Sequence, residues 1–238
     1  MKKICITFAA GAQKYIDAAN RLINQANSSH IFDQTILYTT KDLQEDTDFW
    51  SKHGNFIENN PRGYGYWLWK PYLIKKTMTQ MKPGDVLLYL DCGCEIDNKK
   101  TQLIKKYFEI VRLDKIIGTE TVWQEYMWNK MDLVYDMKLV NRKFLYSKQR
   151  QAGAIMFCVE EKTIKIVNLW YKICNNYHLI DDSPSIRKNI PGFKEHRHDQ
   201  SIFSALTKIF NIFSKYSLFN VIEYNRNISG VSLLKFHF

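Results

Sequence analysis

The chain lacks the features that mark most non-globular classes. No uncharged apolar run comes near the roughly 18 residues a membrane-spanning helix needs, which excludes a helical integral membrane protein. Five prolines and ten glycines in 238 residues are too few for a collagenous or low-complexity chain. Acidic residues are also short, 24 Asp+Glu against 34 Lys+Arg, for a net charge of +10. Such an excess serves general solubility, or a polyanion, a phosphorylated ligand or an anionic membrane surface. The basic residues form no long block, and no nucleic-acid partner is expected. Cysteines number five, an odd count that argues against a disulfide framework. Cys92-Gly93-Cys94 is too tight for a local disulfide and has no second cysteine pair to complete a zinc site. Reduced, buried thiols in a cytoplasmic protein are therefore expected. Met1 to Phe8 starts basic, but its apolar run is short; it reads as a first strand, not a signal peptide.

Hydrophobic residues make up 45% and aromatics 14%, enough to build a sizeable core. Lys3–Ala9 reads as a buried strand, and Tyr15, Ala18, Ala19, Leu22, Ile23 and Ala26 recur at helical spacing after it. A second strand ends near Thr39, a short helix covers Asp42–Trp50, and a turn-rich loop spans Asn59–Gly65. A helix over Tyr66–Met81 leads through Lys82-Pro83-Gly84-Asp85 to the apolar strand Val86–Leu90. This β-α-β-α-β order predicts an α/β fold of Rossmann type, a largely parallel central sheet flanked by helices. Further on, helices are expected at 99–112, 123–137, 162–177 and 199–213, and strands at 115–118 and 154–159. No repeat or linker interrupts the chain, so 1–238 is read as one domain.

Four constellations carry chemistry. Asp91 follows a buried strand, at the carboxyl edge where open α/β sheets bind ligands. A carboxylate there can hold a divalent cation against two phosphates, Gly93 permits close backbone approach, and Glu95 can share the ion if the chain turns at Gly93. The bland alternative has Asp91 capping a turn and Glu95 in solvent. Second, Arg62 to Tyr72 packs two glycines, five aromatics and two cations before a helix. Tyr64 and Trp67 offer faces for a base or sugar, Arg62 and Lys70 charge for phosphate; Trp67 or Trp69 is alternatively a core anchor. Third, Lys194 to Ser201 holds His196, His198, Asp199 and Gln200 before a helix. His198 is the metal candidate, and Asp199 is either functional or only the helix N-cap. Fourth, Gln151, Ala152 and Gly153 are small or polar residues before an apolar strand, allowing close approach. Lys130, within Trp128–Asp132, is read as either solvated or a ligand contact.

In this order the segments resemble GT-A-type nucleotide-sugar glycosyltransferases. Tyr89-Leu90-Asp91-Cys92-Gly93 is similar to the Leu-Tyr-Leu-Asp-x-Asp strand of the glycogenin-like and lipopolysaccharide galactosyltransferase-like enzymes. Gln151 to Met156 is similar to their Asn-Ser/Ala-Gly-Val-Met strand, and Asp199 to Ser204 to their Asp-Gln-x-x-Leu-Asn helix start. The stretch also resembles small glycosyltransferases of bacterial capsule and lipopolysaccharide clusters and of large viruses. The resemblance covers residues 1 to about 210. It implies transfer of a sugar from a UDP- or GDP-type donor to a glycan or lipid-linked glycan acceptor, with Mn²⁺ or Mg²⁺ as cofactor. Residues 1–98 would form the nucleotide half and 99–213 the acceptor half. Asp91, Asp199 and Gln200 would then be catalytic. Arg62, Tyr64, Trp67, Lys70, Gly93, Lys130, Gln151, Ala152 and Gly153 would bind the donor, and Asp91, Glu95 and His198 the metal. Two departures stand out: Gly93 replaces the second metal aspartate, and the C-terminal His-x-x-Gly-x-x-Lys-Pro-Trp motif is absent. A nucleotide-sugar-binding or lectin-like module without turnover is the alternative. The tail 214–238 sets Phe219, Phe236 and Phe238 beside Lys215, Arg226 and Lys235. It is read either as a peripheral dock at the inner face of a membrane or as a strand pair closing the domain.

Overall fold

The computed structural model describes residues 1–234. In chain order, β1 (Lys3–Ala9), α1 (Gln13–Ser28) and β2 (Gln34–Thr39) form a first β-α-β unit. Next come α2 (Thr40–Gln44), α3 (Thr47–Asn59), the single turn α4 (Gly63–Tyr66), α5 (Trp69–Met78) and β3 (Val86–Leu90). The helix expected over Asp42–Trp50 is thus two helices. Asp46 divides them: its carboxylate accepts the Phe49 N–H and so caps α3. Then follow β4 (Glu95–Ile96), α6 (Thr101–Asp114), β5 (Ile116–Ile117), β6 (Glu120–Gln124), α7 (Glu125–Trp128), α8 (Met131–Asp136) and α9 (Arg142–Leu145). The chain continues through β7 (Lys148–Arg150), β8 (Ala154–Cys158), α10 (Glu161–Cys174), α11 (His198–Ile209) and β9 (Ile222–Glu223). The helix expected over 123–137 is instead the end of β6 and two short helices. The extended Asn129-Lys130 step separates them, where the buried Asn129 amide donates back to Glu125.

The central sheet runs β2-β1-β3-β8-β5. β1 is parallel to β2 and β3, whereas β8 is antiparallel to both β3 and β5. All strands but β8 therefore point one way, as expected for a largely parallel sheet. Side chains alternate across it. Ile4, Ile6, Phe8, Leu87, Tyr89, Ile155 and Phe157 enter the core under α5, α10 and α11. Cys5, Val86, Leu88, Leu90, Met156 and Cys158 enter the other core, under α1 and α6. This two-sided burial explains why β3 and β8 are continuous apolar runs. The reversed β8 has a consequence for the site: its first residue, Ala154, pairs with the last of β3, Leu90. The small residues before β8 are thereby delivered to the edge where β3 ends.

The tail is a closing element. β9 pairs with β4, and Arg21 donates to the Cys92, Cys94, Asn227 and Ser229 carbonyls. Phe219 is 45% exposed but lies against Tyr224. Lys235, Phe236 and Phe238 lie outside the described residues.

Candidate active site

Three distant segments meet at the carboxyl edge of β3, beside β1, where the sheet order reverses. Pro71 is tolerated in the first turn of α5, where backbone N–H groups have no helical partner. That turn buries Lys70, whose Nζ donates to the Ala152 carbonyl at 3.1 Å. The same ammonium lies 3.4 Å from Asp91 Oδ1 and 3.3 Å from Asp199 Oδ2, and 5.2 Å from the Tyr89 ring centre. Burial alone would lower the Lys70 pKa, but the carboxylates of Asp199 and Asp91 outweigh it and hold the ammonium charged. Asp91 keeps 42% of its side chain in solvent, and its Oδ1 accepts the Tyr89 hydroxyl at 2.5 Å. Tyr89 was not singled out from the sequence, yet the period-two alternation places it on Asp91's side of the strand. Gly153 leaves room for the Asp91 carboxylate here, since a Cβ on it would stand 2.9 Å from Asp91 Oδ2 and push that side chain aside. Lys70, Asp91, Asp199, Ala152 and Gly153 thus lie together at this edge.

Asp199 is placed differently from the expectation. It does not cap α11, because Arg197 is the N-cap residue. Nor does it face the cleft. It is buried behind Lys70, and its Oδ2 lies within ion-pair distance of the ammonium but has no aligned hydrogen bond. Burial pushes its carboxyl up to about 7, against the pull of Lys70 and with Asp91 adding to the rise. Gln200 cannot present a free amide. Its Oε1 accepts the Ala152 N–H at 3.2 Å and its Nε2 donates to Gln149 Oε1 at 2.8 Å. Gln149 in turn donates to the buried Glu125 carboxylate. Gln200 therefore positions the Ala152 backbone. Gln151 is half-buried, its N–H donating to the Thr119 carbonyl.

The rim is occupied by side chains that were expected to grip the donor. Arg62 donates to both oxygens of Asp182, at 2.9 and 2.8 Å, and lies 3.3 Å from Glu195. Its charge is committed to the loop, a pairing that spacing could not reveal because Asp182 is 120 residues away. His196 and His198 are buried, not exposed. His196 accepts the Lys130 N–H on Nδ1, and Nε2 donates to the Leu179 carbonyl. His198 Nε2 lies 3.0 Å from Asp182, and its ring stacks on Tyr66. Lys130 is neither solvated nor at the cleft. Its buried Nζ donates to the His178 and Asp181 carbonyls, Asp181 Oδ1 and Ser183 Oγ, clasping the 178–183 loop. Tyr64 is half-buried 6.0 Å from Phe8, and Trp67 lies over Gly63 and beside His198. Trp69 is the core anchor, 3.9 Å from Phe8.

The metal set does not assemble. Glu95 is fully buried on the far side of the Cys92–Cys94 turn, where Gln25, Asn225, Asn227, Ser232 and the Leu233 N–H all donate to it. Burial would raise its carboxyl, but hydrogen bonds from Ser232, Asn225, Asn227 and Gln25 prevail and hold it at about 2. Gly93 faces the tail rather than a ligand: Asn227 N–H donates to its carbonyl, and a Cβ would stand 3.2 Å from Arg226 Cα. His198 is taken by Asp182. Among the described residues no three His, Cys, Asp or Glu side chains converge. Asp91 is left as a single carboxylate already sharing Tyr89 and Lys70, and these residues do not fit a protein-held divalent cation.

A groove of about 730 Å³ lies at the opposite edge of the sheet, lined by Leu113, Lys115, Glu160, Phe213 and Tyr216. The Lys115–Glu160 ion pair, 2.9 Å, sits in it, and none of the converging residues do. No family model and no curated protein matches the chain. Among solved structures, mouse xyloside xylosyltransferase 1 is similar over 92% of this chain and 86% of its own, with 10% identity and a TM-score of 0.46. The galactosyltransferase LgtC, solved in complex with donor and acceptor sugar analogs, is similar over 85% and 70%, with 12% identity and a TM-score of 0.42. A mannose-6-phosphate isomerase from Helicobacter pylori is similar over 94% of each chain, with 11% identity and a TM-score of 0.38. At these identities and scores the likeness is one of outline and fixes neither reaction nor substrate.

Proposed function

We propose that the protein is a glycosyltransferase moving a sugar from a nucleoside-diphosphate donor, UDP or GDP type, to a glycan acceptor. The acceptor would belong to a surface polysaccharide, lipopolysaccharide or glycoprotein, and the enzyme would work in the cytoplasm. The observation that carries this reading is the Lys70-centred carboxylate pair at the carboxyl edge of β3, next to the Ala152-Gly153 turn. The order of segments that resembles the GT-A enzymes supports it. Asp91 is the member with a solvent-facing carboxylate, suited to sugar hydroxyls or a reacting proton. Lys70 cancels charge that two carboxylates would otherwise present to an anionic donor. Asp199 and Gln200 act as positioning residues, one on Lys70 and one on the Ala152 backbone. Tyr64, beside Phe8 at the end of β1, offers an aromatic face for the base.

The test is nucleoside diphosphate release from a panel of UDP- and GDP-linked sugars with glycan acceptors. At least one donor should turn over, and Asp91→Asn should fold normally and release product roughly 100-fold more slowly. A fully active variant removes Asp91 from the mechanism. A wild-type chain that neither binds nor turns over any donor overturns the reading. The unassembled metal set favours the second reading, a nucleotide-sugar-binding module. Donor-dependent thermal stabilisation without product release would select it.

A further inference from the structure

We propose that the outer face of α8, α9 and the 184–190 loop docks on an anionic lipid bilayer. The sequence prepares such a face: residues 137–150 and 183–194 contain eight lysines and arginines and no acid. The fold then gathers these two stretches. α8, α9, Leu139 and Ile190 share a small core around Met131, Val134, Phe144 and Leu145. Asp132 ties the loop down by accepting the Ile186 and Arg187 N–H groups at 2.9 and 2.8 Å. Outside that core, Lys138, Arg142, Lys143, Arg187 and Lys188 are exposed, and none forms an ion pair among the described residues. Asp136 is the acid exposed on α8.

The same face exposes apolar side chains. Ile186 is 84% exposed, Val140 48%, Tyr146 47% and Tyr135 44%. Arg187 lies 4.2 Å over the Tyr135 ring and Arg142 5.6 Å from that of Tyr146, so cations and apolar groups are interleaved. Cations facing water above exposed aliphatic and aromatic groups are what an anionic headgroup layer over hydrocarbon accommodates. A nucleic-acid backbone would leave Ile186 and Val140 without a partner. A second copy of the same face would set unpaired cations against cations. Asp182 before this loop and Glu195 after it hold Arg62, and Asp182 also holds His198, at the cleft rim. The docking face is thus linked in sequence to the segments that hold the cleft rim. The docking itself does not depend on the reaction.

The test uses the full chain in co-sedimentation with phosphatidylcholine vesicles, with and without 30 mol% (about one lipid in three) phosphatidylglycerol. Binding should require the anionic lipid and fall as salt rises. Replacing Lys138, Arg142 and Lys143 together by Glu should weaken partition by about tenfold or more. Lys99→Glu, Lys105→Glu and Lys106→Glu together change the net charge equally at another exposed site and should bind nearly as well as wild type. Ile186→Ser with Val140→Ser should weaken binding while leaving its salt dependence. Equal loss in the two charge-reversed triple variants would reduce the effect to net charge and overturn the assignment. Failure of the wild-type chain to bind anionic vesicles at low salt would overturn it too, and retention on heparin in that case would transfer the face to another polyanion.

Discussion

Asp199 shows how burial changes what a carboxylate can do. Out of reach of a sugar, it can still act by holding Lys70 against Asp91. Its raised pKa means the native state keeps a proton that the unfolded chain has lost between about 4 and 7. Stability from this group therefore falls as pH rises through that window. Asp199→Asn should flatten that dependence. If ionised Asp199 is what orients Lys70, transfer by the wild type should rise with pH through about 7, and the variant should be slow and lack that rise. A variant with normal rate and pH profile would leave Asp199 a packing residue. A second residue-scale effect lies in α4 and the residue that caps it, where Gly63, Tyr64, Gly65, Tyr66 and Trp67 all have positive φ. Left-handed turns cost non-glycine residues about 1–2 kcal/mol each, so the glycines here carry weight. A Cβ on Gly65 would meet Ile57 Cγ1 at 2.7 Å, whereas one on Gly11 would meet nothing within 4 Å. Gly65→Ala should cost roughly 2–3 kcal/mol in urea denaturation and Gly11→Ala about 1.

Among the elements, the tail does the most to hold the site strand in place. The turn after β3 is gripped by Arg21 and, next to it, by the Glu95-centred hydrogen bonds to residues 225–233. Removing one member of a buried charged network leaves the rest unpaired. Glu95→Ala should therefore cost roughly 3–5 kcal/mol and expose the segment after β9 to protease. A metal-ligand role predicts the opposite: lost cation binding with unchanged stability. Denaturation and limited proteolysis of the variant distinguish the two outcomes.

Across the molecule, buried neutral histidines set the acid limit. Burial between Tyr171 and Tyr177 pushes His53 down to about 4, with Lys52 adding. Burial, with His198 adding, pushes His196 to about 3. Both folded pKa values lie below the ordinary 6.5, so their stabilising effect is present above 6.5 and is lost as pH falls toward 4. Asp199 opposes them, but two groups outweigh one. The melting temperature should drop between pH 6.5 and 5. His196→Gln, which can accept from Lys130 N–H and donate to the Leu179 carbonyl as His196 does, should shrink that drop. An unchanged drop would place the acid sensitivity elsewhere.

Local pattern was enough for the sheet. β1, β3 and β8 are apolar runs because both faces are buried, and such runs mark the strands without showing which face each residue takes. Lys70, Asp91, Ala152, Gly153 and Asp199, read from the sequence as site candidates, sit at or beside element ends. The 123–137 segment misled, because helical spacing of Trp123, Tyr126, Met127, Met131 and Val134 hides the break at Asn129 that a buried amide enforces. What each polar group faces was decided only by tertiary structure. Glu95 and Asp91 are four residues apart, yet one is sealed under the tail and the other opens to the cleft. Arg62 looks like a phosphate grip until Asp182 and Glu195 arrive from more than a hundred residues away. Burial and ion pairing are set by distant parts of the chain, and they determine whether a charge is free to meet a ligand.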